Sequence, residues 1–212
     1  MDAKPSELLI GVGELIGILL PGAVVTYLAS PLTQRLDVVQ SLPVLSEGAA
    51  WVAFVVGAYF AGHLVFLVGS FLDKPYDVVR QHFWPREDDS AYDAANEIRA
   101  RFLGASARAT NTYKFATALL ALQHETAFAE VRQLEADSKF FRSLIVLALG
   151  LLVVTAATGQ AGLAVGCLLA GAMCCWRYVE RRWKATQRAY QYVVVLDALG
   201  AMARRVPSAT AE

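Results

Sequence analysis

The chain has 212 residues, is 56% hydrophobic with a mean hydropathy of +0.42, and carries 19 basic and 19 acidic residues that cancel to zero net charge. A zero overall field excludes nucleic-acid binding driven by global charge, so any anionic partner would need a local basic patch. The hydropathy excludes an ordinary soluble domain: four apolar runs, residues 8 to 29, 47 to 72, 143 to 158 and 161 to 179, hold almost no charge, and about 20 apolar helical residues cross a hydrocarbon core.

The first run follows Asp2, Lys4 and Glu7 and is interrupted by Glu14 and Pro21. That makes a poor signal peptide, although Tyr27-Leu28-Ala29-Ser30 mimics a cleavage site, and the run is expected to be a retained helix. Glu14 lies about two turns in, near an interface. His63 lies near the middle of the second run. Ionisable groups at membrane depth are costly, so Glu14 and His63 are read as pore-lining or proton-relaying residues, or more plainly as groups hydrogen-bonded to a neighbouring helix or to water. Small residues at Gly13 and Gly17, at Ala53, Gly57 and Ala61, and at Gly162, Gly166, Ala170 and Cys174 put one close-packing face on each of three spans.

His63, Ser70, Asp73, Tyr76, Asp77 and His82 gather toward the end of the second run. A metal site is conceivable there, but no paired-histidine or Cys-x-x-Cys spacing supports one, and Asp73 as a helix cap with Asp77 as an ion-pair partner explains the pattern more simply. No metal and no cofactor are expected. The histidines stand near no nucleophile motif, and neither a Walker loop nor a dinucleotide fingerprint is present, so the chain is not expected to be an enzyme. A lipid-acting enzyme using His63, Asp73 and Asp77 is the alternative in that class.

Asp73-Lys74-Pro75 predicts a new helix or a bend at the end of the second span. Trp84-Pro85-Arg86-Glu87-Asp88-Asp89-Ser90 breaks the chain again. Residues 91 to 139 read as helical with a break at Gly104. In the later part Tyr113, Leu120, Phe128, Val131 and Leu134 form one apolar stripe, with His124 on an apolar face, and Phe115, Leu119 and Leu122 form a second. Two stripes imply two partners, either within the chain or in a neighbouring subunit.

The third and fourth runs are joined by Thr158-Gly159-Gln160, and Cys167, Cys174 and Cys175 all fall in the fourth, which argues against a disulfide framework. Helical composition continues from Trp176 to Met202, weakened by the β-branched run Val193-Val194-Val195. The tail beyond Arg205 is expected to be disordered.

Of the basic residues, one (Arg35) lies between the first two runs, ten lie between 73 and 142, and seven lie from Arg177, at the end of the fourth run, onward. This asymmetry predicts a multi-pass protein with both termini and the middle segment cytoplasmic. Arg177, Arg181, Lys184 and Arg188 share one helical face, flanked by Trp176 and Trp183. The plainer reading is an interfacial anchor on anionic lipid. The sharper reading is an anion site for a nucleotide or oligonucleotide, built from several subunits, with Arg99, Arg101 and Arg108 completing it.

Leu19-Leu20-Pro21-Gly22, Gly62-His63 with Asp73-x-x-Tyr76-Asp77, and Glu135-Ala136-Asp137-Ser138-x-Phe140-Phe141-Arg142-Ser143-Leu144 resemble segments of small bacterial four-span membrane proteins. In size and plan the chain resembles the membrane effectors of phage-defence operons. That resemblance implies a homo-oligomer in the bacterial inner membrane that senses a nucleotide-type signal, or the partner protein that produces it, and then permeabilises the bilayer. The chain lacks the separate nucleotide-sensing domain of better-known effectors.

The sequence therefore predicts an all-α, oligomeric integral membrane protein with four transmembrane helices and a cytoplasmic helical layer. Residues 1–72 hold the first two spans and a short outer loop, 73–139 the cytoplasmic helices, 140–179 the last two spans, and 180–212 a helical extension and tail. Its expected partners are copies of itself, the lipid bilayer, and the signal or signal-producing protein. A non-conducting scaffold that recruits a soluble partner is the alternative.

Overall fold

The computed structural model describes residues 5–33, 46–76, 78 and 90–205, with the side chains of 5–14, 16, 31–33 and 201–205 left out. The outer loop expected between the first two spans, the breaker at 84 to 90 and the tail therefore lie wholly or largely outside the described residues, as do Arg35, Asp77 and His82. Every described element is helical and no strand occurs among the described residues. Two compact units emerge, one from the residues up to Val78 with Ala136–Glu180, the other from Val79–Glu135 with Arg181–Glu212.

In the first unit α1 (Pro5–Thr33) packs along α2 (Glu47–Ser70). Ser46 caps α2 by accepting from the Ala49 amide, and Glu47 sits in the first turn where the helix dipole favours an acid. The two helices meet backbone to backbone: a β-carbon at Gly22 would lie 1.7 Å from the Ala58 carbonyl oxygen, and one at Gly62 would lie 2.1 Å from that of Ile18. The face of α2 buried within the chain is thus Ala58, Gly62, Val65 and Gly69; the spacing of Ala53, Gly57 and Ala61 left open whether their partner helix lies in the same chain. Ala53 is exposed, and a β-carbon at Gly57 would meet only the Thr26 side chain, at an ordinary 3.6 Å. Spacing by four identifies several possible faces; the carbonyls of the neighbouring helix select among them.

Helix α2 stops at Ser70 because Pro75 offers no amide to the Phe71 carbonyl and its ring would clash there. The bonds tighten instead, Phe71 N–H to the Val68 carbonyl and Leu72 N–H to that of Gly69, and residues 73 to 76 resume as a short helical segment.

Helices α5 (Glu125–Ala157) and α6 (Ala161–Arg205) run through both units. They are joined by the expected tight turn, in which Gly159 takes φ +72° and the Gly159 and Gln160 amides cap the carbonyls of Ala156 and Thr155. Three helices, Glu47–Tyr76, Glu125–Ala157 and Ala161–Gly200, are long and apolar enough to cross a membrane. In α1 the described side chains contribute a shorter apolar stretch, Gly17–Ser30.

The second unit contains α3 (Ser90–Leu103), a 3-10 segment (Gly104–Ala109) and α4 (Thr112–Gln123), together with portions of α5 and α6. Gly104 makes the expected break with φ +52°, and Asn111 caps α4 on the Lys114 amide at 2.8 Å. A second break, absent from the sequence expectation, falls at His124 (φ −148°, ψ 82°). On one straight helix Leu120 and Val131 would stand about 16 Å apart, yet both enter one core with Ile98, Phe115, Tyr190 and Val193. The break folds the chain so that they meet. The two expected stripes therefore merge: Tyr113, Phe115, Leu119, Leu120, Phe128 and Val131 all join this core, whereas Leu122 is 86% exposed. His124 is also exposed, at the joint rather than on an apolar face. Its backbone N–H caps the Leu120 carbonyl, and its Nδ1 lies 3.2 Å from the Thr126 hydroxyl.

Candidate functional site

The Phe71–Leu72 turn sets Asp73 beside α5 and α6 at the C-terminal end of α2. Arg142 of α5 donates from Nη1 to both Asp73 oxygens, at 3.0 and 2.9 Å, and the Tyr178 hydroxyl of α6 donates to Oδ1 at 2.9 Å. The Arg142 guanidinium lies over the Phe66 ring, 4.7 Å from its centroid, and the missing side chain at Gly69 makes room for the arginine stem: a β-carbon there would sit 3.3 Å from Cγ. Tyr76 is buried and sets its ring edge-on to Tyr178 at 5.6 Å. Arg142 keeps 7% of its side-chain surface and Asp73 keeps 36%. The cluster is thus a buried cation held by a carboxylate that opens toward solvent, a geometry in which removing either partner costs far more than a surface pair would.

Sequence patterning counts Arg142 only as a basic flank of the third run and does not single out Tyr178. The available signal is an arginine at the mouth of one apolar run together with Gly69-x-x-x-Asp73 at the mouth of another. Asp73, read as a cap or a metal-type ligand, receives a guanidinium and a phenol. Among the described residues no group of three or more His, Cys, Asp or Glu is placed to hold a metal ion.

His63 is exposed on α2, with its ring edge-on to Tyr59 at 4.5 Å. Glu14 lies on α1, but its side chain is outside the described residues.

All four cations of the basic stripe lie on α6, Arg177 in the first unit and Arg181, Lys184 and Arg188 in the second. Arg177 donates to Glu180 at 2.8 Å, and Arg188 lies 3.6 Å from Glu130, which also receives a short hydrogen bond from Tyr192. Both are exposed pairs of the kind worth about 0–1 kcal/mol, so a phosphate could displace their carboxylates at small cost. Arg181 is half-buried and Lys184 exposed. Arg99 and Arg101 serve their own unit, donating to the Thr110 carbonyl at 2.8 Å and to Asp197 at 2.6 Å, and Arg101 and Arg108 are both exposed.

A second acid–phenol pair stiffens this unit: Tyr113 donates to Glu135 at 2.5 Å, and Arg132 lies 3.3 Å from the same carboxylate. Burial first, and the bond to Glu135 second, hold the Tyr113 hydroxyl well above the usual tyrosine range. Cys167, Cys174 and Cys175 are unbridged thiols.

No family model matches the chain, and no curated protein and no solved structure matches it.

Proposed function

We propose that the chain is an oligomeric effector of the bacterial inner membrane that forms a regulated pore or disrupts the bilayer, gated by a nucleotide-type signal or a signal-producing partner protein in anti-phage defence. The observation that carries this reading is His63, an ionisable group exposed on the surface of a membrane-length apolar helix. Lipid offers such a group no hydrogen bond, so a water-filled path or a neighbouring subunit suits it better than acyl chains. The burial pattern agrees: within one chain only 22%, 22% and 11% of the most apolar stretches of α2, α5 and α6 are covered.

In this reading α1, whose 29 residues extend about 43 Å, supplies the fourth span. Both termini and the second unit are cytoplasmic, following the basic asymmetry of the sequence. Glu14 and His63 are the polar residues along the conduction path, Arg177, Arg181, Lys184 and Arg188 receive the anionic signal, and no catalysis is involved. The signal acts only through unequal binding to the closed and open states.

Liposomes loaded with an ion-sensitive dye and challenged with cyclic and linear oligonucleotides test this. The wild type should release dye when the right ligand is added, and the Arg181→Ala/Lys184→Ala double variant should insert normally but lose the response. An unchanged response removes these cations from the mechanism. A second reading, a non-conducting scaffold for a soluble partner, draws on the exposed Leu122 and Phe102 of the second unit. Stable capture of such a partner without ion flux would favour it.

A further inference from the structure

We propose that Asp73, Arg142 and Tyr178 form a conformational latch: the hinged segment at residues 73 to 76 docks on α5 and α6 in the closed state and swings away when the pore opens. The latch rests on the reading of the spans as walls of a gated pore. Three features make this cluster a device rather than a static brace.

The first is the hinge. The Phe71–Leu72 turn separates the segment from α2, so its motion need not disturb the backbone packing of Gly22 and Gly62 against the neighbouring helix. The second is the unequal burial of the partners. Arg142 is buried against Phe66 and Gly69, whereas Asp73 keeps about a third of its side-chain surface. Asp73 is therefore the partner that can leave. The third is the bonding geometry. A fully committed guanidinium meets a carboxylate with two nitrogens in a fork, but here one nitrogen, Nη1, serves both oxygens, and the buried Nε has no hydrogen-bond partner among the described residues. The docked state therefore carries the cost of one buried donor without an acceptor, and an arrangement that gives Nε an acceptor would offset part of the cost of releasing Asp73. Tyr178 and Tyr76 complete the docked state by hydrogen bond and ring contact.

The test reads the hinge directly. Spin labels are placed at Lys74→Cys and at native Cys175, both exposed positions, in a Cys167→Ser/Cys174→Ser background, with labelled chains diluted among unlabelled ones in liposomes. The docked protein should give one narrow distance distribution. Asp73→Asn should broaden it and shift it outward by about 5 Å or more, the scale of a one-turn displacement. Because that variant strands a buried cation and could misfold, Asp73→Asn/Arg142→Met is measured beside it; removing the arginine as well leaves no buried charge without its partner, yet it still abolishes the latch.

Dye release is recorded from the same samples. An outward shift with ligand-independent release supports both the latch and the pore. An outward shift in inserted protein that releases no dye supports the hinge and counts against the pore. An unchanged distribution in both variants overturns the latch, whatever the dye does.

Discussion

A β-carbon at Gly62 would lie 2.1 Å from the Ile18 carbonyl oxygen, and neither atom belongs to a flexible side chain that can move aside. Gly62→Ala should therefore push α1 from α2 and cost about 1–3 kcal/mol, as overpacked interiors do, measurable as a lower midpoint when the folded protein is titrated with denaturing detergent. Gly162→Ala is the control, since nothing lies within 4 Å of its built β-carbon; it should be neutral or slightly stabilising within the chain. Tyr113 offers a residue-scale test of a different kind. Its hydroxyl ionises above the ordinary tyrosine range, so the folded state keeps a proton that the unfolded state loses above about pH 10. The stability this contributes is complete below pH 10 and is lost as pH rises further. Because the bond to Glu130 also raises Tyr192, alkaline difference absorbance should show one fewer late-titrating tyrosine in Tyr113→Phe than in the wild type; the same late amplitude in both proteins would contradict the assignment.

Among the elements, those with local chemical signals were legible in the sequence. Gly159 and Gly104 supply the positive φ angles that end helices, and Pro75 stops α2 through its missing amide. The apolar runs marked α2, α5 and α6 through their length and composition alone. The joint at His124 was not legible, because it holds neither Gly nor Pro and follows from the need of Leu120 and Val131 to reach one core. The packing face of α2 was hidden for a similar reason: Gly57 and Gly62 look alike in sequence, and only the backbone opposite distinguishes them. Of the candidate site, the basic stripe was readable as a charge pattern. The Arg142–Asp73 pair, 69 positions apart, was not, since no local pattern links the ends of two helices. The continuity of α6 through Val193-Val194-Val195 shows burial overriding weak helix propensity, with Val193 fully buried. Leu120→Ala should thus open a cavity under α6 and cost about 2–5 kcal/mol. The expected signature is earlier loss of helical ellipticity on heating, with membrane insertion retained; an unchanged transition would remove Leu120 from the core that joins α4, α5 and α6.

For the whole molecule, most residues in the apolar stretches of three membrane-length helices are not buried by the chain itself, and one of those helices carries an exposed histidine. Lipid satisfies the first property and not the second. An assembly of several copies around a hydrated path satisfies both, and the carboxylate-paired cations of α6 provide a surface on which an anion can compete. If His63 faces a conduction path as proposed, replacing it by Leu should leave insertion intact while changing conductance or ion preference; unchanged currents would remove His63 from the path. The claim that the assembly conducts is tested most directly by recording current across a planar bilayer containing the purified, inserted oligomer, before and after adding cyclic and linear oligonucleotides. The account predicts discrete conductance steps whose frequency rises with one of these ligands. A silent bilayer under every condition, from protein shown to be inserted and oligomeric, would contradict it.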